Sequence, residues 1–361
     1  MSTSPGISPS VSEPTLTLAS PADILAAIPY LVGFHPKDSL LVLGIDDIDL
    51  KITTRWDLPL PPGALIPLPP MLAREKVTRI IAVGYGPGQQ VTPAIDRLQD
   101  LCASNGITLC EALRAHDGRY WSYVCDIPGC CPHNGTPYDP STSAVAAEAV
   151  VRGMVALPGR DTIEATVAPA TGPVRLAMRA ATAQAVADLR TRLNATKTPD
   201  SLAATIVAQG IARVRTALTP GTRLNDTEAA RLGLELAVIR VRDEAWTRID
   251  DATQPLHVTL WKDLTRRLED RFVPPAASLL AMSAWRSGDC VLASIALERA
   301  LTIDPTYSMA NLLTHAMNHL LSPQLLRGRM PTPADLDRTM GTPRAVWLTP
   351  LLNILEDPTP H

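Results

Sequence analysis

Val77-Thr-Arg-Ile-Ile-Ala-Val83 runs directly into Gly84-Tyr-Gly-Pro-Gly88, and a helical pattern follows from about Pro93 to Ser104. A β-branched apolar run closed by glycines and followed by an amphipathic stretch predicts a strand–turn–helix unit. Upstream, Ser39-Leu-Leu-Val-Leu-Gly44 reads as a buried strand, and Leu50–Trp56 as its partner across a turn at Asp46-Asp47. Asp23–Ile28 reads as a short helix limited by Pro29, and the six prolines from Pro59 to Pro70 as a loop. Downstream, Ile107–Ala115 and Arg119–Val124 read as strands joined by His116-Asp117-Gly118, and Ala144–Ala156 as a helix capped from Ser141, Thr142 or Ser143. The first part of the chain is therefore expected to be an α/β domain with a mixed sheet.

Strand signals stop near Ala168-Pro-Ala-Thr-Gly-Pro173. Helical patterns then recur at Val174–Leu193, Ser201–Leu218, Asp226–Ile249, Leu256–Arg271, Ala276–Arg286, Cys290–Ile303 and Ser308–Leu321. Asp200, Asn225, Asp226 and Ser287 are expected as caps. The expected layout is a tail over 1–20, an α/β domain over 21–167, an all-α domain over 174–327, and a poorly structured or short-helical tail over 328–361. Gly288-Asp289, Ala293, Ala300 and Pro305 have the spacing of a single tetratricopeptide-like helical hairpin.

The chain has 361 residues, 46% of them hydrophobic, enough for two cores, but only 4% aromatic, so those cores must be aliphatic. A net charge of −3 gives no overall attraction to phosphate backbones or acidic lipid. A protein or small-molecule partner is expected in preference to nucleic acid. No apolar run is long enough to span a membrane, and Met1–Ser20 lacks the basic start and apolar core of a signal peptide. The protein is thus expected to be cytoplasmic, where thiols stay reduced.

Three stretches carry candidate chemistry. In Trp121-Ser-Tyr-Val-Cys125-Asp-Ile-Pro-Gly-Cys130-Cys131-Pro-His133-Asn-Gly135, three of the six cysteines fall within seven positions beside a histidine. Thiolates gathered so closely can hold zinc, form a redox disulfide or remain free thiols. Cys125, Cys130, Cys131 and His133 are the candidate ligands, with Cys102, Cys110 or His116 as further donors. The second stretch places His35, Asp38 and Ser39 just before a strand. It is read first as a turn in which Asp38 and Ser39 bind backbone amides, with a hydrolase site as the alternative. The third is Gly84, Gly86 and Gly88, a candidate phosphate-binding turn, although it fits neither a dinucleotide fingerprint nor a Walker loop.

Together these residues resemble a known family. Ile28-Pro-Tyr-Leu-Val-Gly-Phe-His-Pro-Lys-Asp-Ser39, Gly84-Tyr-Gly86, Arg119-Tyr-Trp-Ser-Tyr-Val-Cys125, Cys130-Cys-Pro132 and Gly135 look like the bacterial domain of unknown function 4192. So do Arg242-Asp243, Trp285-Arg-Ser-Gly-Asp289, Ala296-Leu-Glu-Arg-Ala-Leu301, Asp304-Pro305 and Tyr307. The resemblance covers roughly Pro21 to Arg327. It implies no reaction and hence no catalytic residues. It implies an actinobacterial source, in keeping with the Ala-, Arg- and Pro-rich composition. The family pattern includes Gly33, His35, Pro36, Asp38, Ser39 and the three clustered cysteines, but not His133. The sequence is thus read as an uncharacterised binding or regulatory module. The alternatives are a hydrolase at His35/Asp38/Ser39 and a zinc or thiol-redox protein at Cys125–Cys131.

Overall fold

A computed structural model describes residues 18–46, 49–127, 130–326 and 328–356. They form two compact units, one ending at Arg160 and the other beginning at Asp161. Residues 1–17 of the tail expected over 1–20 and the Asp47 half of the first turn lie outside the described residues, while Ser20 caps α1.

The first unit runs α1 (Pro21–Val32), β1 (Ser39–Asp46), β2 (Asp49–Asp57), α2 (Leu68–Arg74), β3 (Arg79–Tyr85), α3 (Gly88–Asn105), β4 (Thr108–His116), β5 (Arg119–Ser122), β6 (Thr136–Pro137) and α4 (Ala144–Val151). The strands form one mixed sheet ordered β2-β1-β3-β4-β5-β6. Only β3 and β4 pair in parallel, because α3 crosses between them, and the other pairs are antiparallel. Leu41, Leu43, Val83, Leu113 and Ala115 bury one face against Ile24, Leu25 and Ile28 of α1. On the other face α3 packs tightly enough that a β-carbon on Gly84 would lie 2.2 Å from Val91. β1 is buried along most of its length, which is why it reads as an apolar run without alternation.

Several local expectations are corrected. Pro29 does not limit α1, which continues to Gly33 in the left-handed conformation. Burial of Ile24 through Pro29 outweighs the one hydrogen bond that proline removes. The proline-rich loop gives way at Leu68 to α2, whose first turn contains Pro69 and Pro70, where no amide donor is needed. α3 begins at Gly88 rather than Pro93. α4 ends at Val151, with Gly153 at φ 77° just beyond.

The second unit is mostly helical: α5 (Arg160–Ala165, straddling its start), α6 (Gly172–Ala195), α7 (Pro199–Ala217), α8 (Asp226–Glu235), α9 (Ile239–Thr247), α10 (Gln254–Arg267), α11 (Val273–Arg286), α12 (Cys290–Ile303), α13 (Ser308–Asn318), α14 (Pro333–Met340) and α15 (Thr349–Glu356). One core extends from Val167 to Leu355. α11 lies at its centre and is buried from Val273 through Trp285, the pattern of a helix covered on every side. The single helix expected over Asp226–Ile249 is two, because Val238 is extended and the buried Leu236-Ala237-Val238 link turns the chain within the core. Asn225 caps α8 in a reciprocal capping box with Glu228. Thr198, not Asp200, precedes α7, and Asp289, not Ser287, caps α12 by accepting from the Leu292 amide at 2.9 Å.

α11 and α12 pack on each other, with Ala293, Ala296 and Ala300 fully buried. Small side chains allow that approach. Ala300→Leu is expected to destabilise the fold by about 1–3 kcal/mol through overpacking. Urea denaturation checks this; an unchanged midpoint would remove Ala300 from the contact.

Candidate metal centre

β5 ends at Ser122, and the chain turns away over Glu111 of β4. The Ser122 hydroxyl donates to Glu111 Oε1 at 2.8 Å and accepts from the Val124 and Cys125 amides at 3.3 and 3.2 Å. Tyr123 N donates to the Ala112 carbonyl at 2.8 Å, so the start of the loop is anchored to β4. Its return is anchored to β5. Trp121 Nε1 donates to the His133 carbonyl at 3.1 Å, and Arg119 Nη1 to the Asn134 and Gly135 carbonyls at 3.3 and 2.8 Å. Gly135, at φ 78°, lies flat on the indole, and a β-carbon there would fall 2.6 Å from Trp121 Cε2.

Between these anchors the Sγ atoms of Cys125, Cys130 and Cys131 lie within 4.8 Å of one another. Cys130 and Cys131 are exposed and Cys125 is half-buried, and no disulfide joins them. The Ile127 amide, then the Cys131 and Cys130 thiols, donate toward Cys125 and hold it below the ordinary thiol range, although the Asp126 carboxylate opposes this. The same sharing raises Cys130 and takes Cys131 up to about 11. Cys125 is therefore the most acidic thiol of the group and accepts from the other two, an arrangement one cation would replace.

The other expected donors stand apart from this group among the described residues. His133 is exposed, Cys102 is buried on α3, and burial raises its thiol to about 11. Cys110 accepts from Arg79 Nε at 3.4 Å, and His116 Nε2 lies 3.3 Å from Asp117.

Among the described residues no side-chain hydrogen bond joins His35, Asp38 and Ser39. His35 is exposed, and its backbone amide donates to the Leu157 carbonyl at 2.9 Å. Asp38 has φ 42°. Ser39 pairs with Tyr85 across β1 and β3, fully buried, and its hydroxyl has no partner.

Two glycines of the turn are packed against side chains. Gly84 admits Val91, and a β-carbon on Gly88 would lie 2.2 Å from Arg114 Nη1. That guanidinium lies 3.6 Å over the Trp121 ring. Gly88, Arg114, Trp121 and Gly135 thus form one stack that ties the start of α3 to the cysteine loop. Arg114 is not among the residues that the motifs single out; its signal in the sequence is a lone cation inside the apolar run Ala112–Ala115.

A mixed-sheet unit bearing a three-thiol cluster, followed by a mostly helical unit, defines a two-unit protein with a candidate metal centre. Over residues 21–324 the chain matches the family described as "Domain of unknown function (DUF4192)", and it belongs to that family. No curated protein and no solved structure matches it. No helix among the described residues is long and apolar enough to cross a membrane.

Proposed function

We propose that the protein is a metal-binding module that holds zinc through Cys125, Cys130 and Cys131. The observation that carries this reading is the gathering of three sulfurs within 4.8 Å. Sulfurs about 2.3 Å from a tetrahedral zinc stand about 3.8 Å apart, so small side-chain rotations would complete the geometry. The anchored loop ends reduce the entropy lost on binding. Three sulfurs suit an ion better than a disulfide, which would use only two. Protein purified without chelator is expected to carry about one zinc per chain. Cys125→Ser is expected to lose nearly all of it, while Cys290→Ser keeps it. No metal, with all six thiols titrating freely, would overturn the reading; a missing thiol pair without metal would favour redox chemistry.

We propose further that α11 and α12 make a tetratricopeptide-like hairpin, supported by the alanine contacts and the Asp289 cap. A lone hairpin of this kind builds its own core and offers no repeat groove. The expected domains, residues 21–167 and 174–327, are proposed with their border moved to Arg160/Asp161, where the compact units divide, since Val167 already lies in the helical core. Limited proteolysis is expected to cut there and release a fragment with β-type circular dichroism; resistance throughout 160–175 would count against it. A cytoplasmic setting and a protein or small-molecule partner fit this reading.

A further inference from the structure

We propose that this metal centre is open: its fourth ligand is a neutral nitrogen donor brought from outside the loop. The inference rests on the zinc reading above and specifies what that site takes. Zinc sites that serve structure alone close with four protein ligands, whereas three protein ligands leave a position for an outside group. Among the described residues, the gathered donors are Cys125, Cys130 and Cys131 and no fourth His, Cys, Asp or Glu.

The loop's anchors work against recruiting His133 from within. Its carbonyl is held by Trp121, the next two carbonyls by Arg119, and Gly135 is pressed on the indole. The backbone that carries the imidazole is therefore tied to β5. The open side faces solvent, since Cys130 and Cys131 are exposed, and Ile127 beside them is 65% exposed. That apolar neighbour suits the body of an aromatic nitrogen donor better than an ionic group.

Charge selects the chemistry of the donor. Three thiolates on a divalent ion leave a net charge of about −1. The charged side chain acting on Cys125 is the carboxylate of Asp126, which adds to that excess. A thiolate or carboxylate as fourth ligand would raise the repulsion further, whereas imidazole leaves it unchanged.

Cobalt(II), titrated into the full-length metal-free protein, reports each step. Thiolate-to-cobalt charge transfer signals binding, and the visible d–d bands signal the fourth ligand. The expected result is that added imidazole shifts the d–d bands saturably, equally in the wild type and in His133→Ala. A wild type indifferent to imidazole beside a responsive His133→Ala would mean that His133 closes the site, and the proposal fails. Indifference in both means another residue closes it, and the proposal fails again while the metal reading survives. No charge-transfer band at all would overturn the metal reading itself. Hydrodynamic mass separates two sources of the donor. A cobalt dimer that imidazole converts to monomer assigns the donor to a second copy. A monomer with the saturable shift assigns it to a free ligand.

Discussion

Glu244→Ala is expected to destabilise the helical unit by about 3–5 kcal/mol, because it takes from the buried Arg240 its one buried counter-charge. Glu244 lies on α9, and its side chain is fully buried. Burial alone would raise its carboxyl pKa. Hydrogen bonds from Arg248, Arg240 and Arg215 outweigh that and hold it below the ordinary glutamate value. Arg248 Nη2 lies 2.6 Å and Arg215 Nε 3.0 Å from Oε1, while Arg240 Nη1 lies 3.0 Å from Oε2. Arg240 is itself only 2% exposed, and its other contact is Asp337 of α14, at 2.6 Å. Truncating the carboxylate leaves the buried Arg240 with the exposed Asp337 carboxylate as its remaining counter-charge. Arg215 is half in solvent, so Arg215→Ala should cost under about 1 kcal/mol. Urea denaturation followed by helical circular dichroism measures both; a Glu244→Ala cost as small as that of Arg215→Ala would show that the cluster contributes little.

The second large effect is acid sensitivity set by His257 of α10. Its ring is fully buried; Nδ1 accepts from Trp261 Nε1 at 3.0 Å, and Nε2 donates to the Arg248 carbonyl at 3.0 Å. Burial lowers its pKa from 6.5 to about 4, against the opposing effects of the Arg248 carbonyl and Asp250. The folded protein thus holds a neutral imidazole, while the unfolded chain takes up a proton below about pH 6.5. Stability is complete above that value and falls as pH drops toward 4, by up to about 3 kcal/mol. Chemical denaturation at several pH values between 7 and 4 is expected to show this decline in the wild type and a flatter profile in His257→Gln. Parallel profiles would assign the acid sensitivity to other groups.

Much of the architecture was legible because it was local. The apolar runs of β1 and β3 announce a buried sheet, and the helical period holds from α6 onward. What escaped reading depends on tertiary context. Gly88-Gln-Gln carries no apolar period, so the first turn of α3 is invisible until Val91 meets Gly84. The period runs unbroken through Leu236–Val238, so the turn between α8 and α9 shows only in how the core folds around it. The thiol cluster could be read because its members are chain neighbours. Of the Glu244 cluster only the Arg240–Glu244–Arg248 row is local, at four-residue spacing on α9, whereas Arg215 and Asp337 join it only through packing. The burial of Ser39, whose hydroxyl has no hydrogen-bond partner, was likewise hidden, because it depends on how β1 sits in the sheet.

The borders of the sheet have a consequence for assembly. β2 forms one border and carries Asp49, Lys51, Arg55 and Asp57, with Lys51 paired to Asp49 and Arg55 to Asp57. β6 forms the other and is two residues long, ending in a proline. A strand from another molecule would need a long, neutral row of free backbone donors and acceptors to add to. One border offers charges that must be stripped of water, and the other almost no ladder at all. The sheet is thereby guarded against growing from molecule to molecule, the first step toward fibrous aggregation.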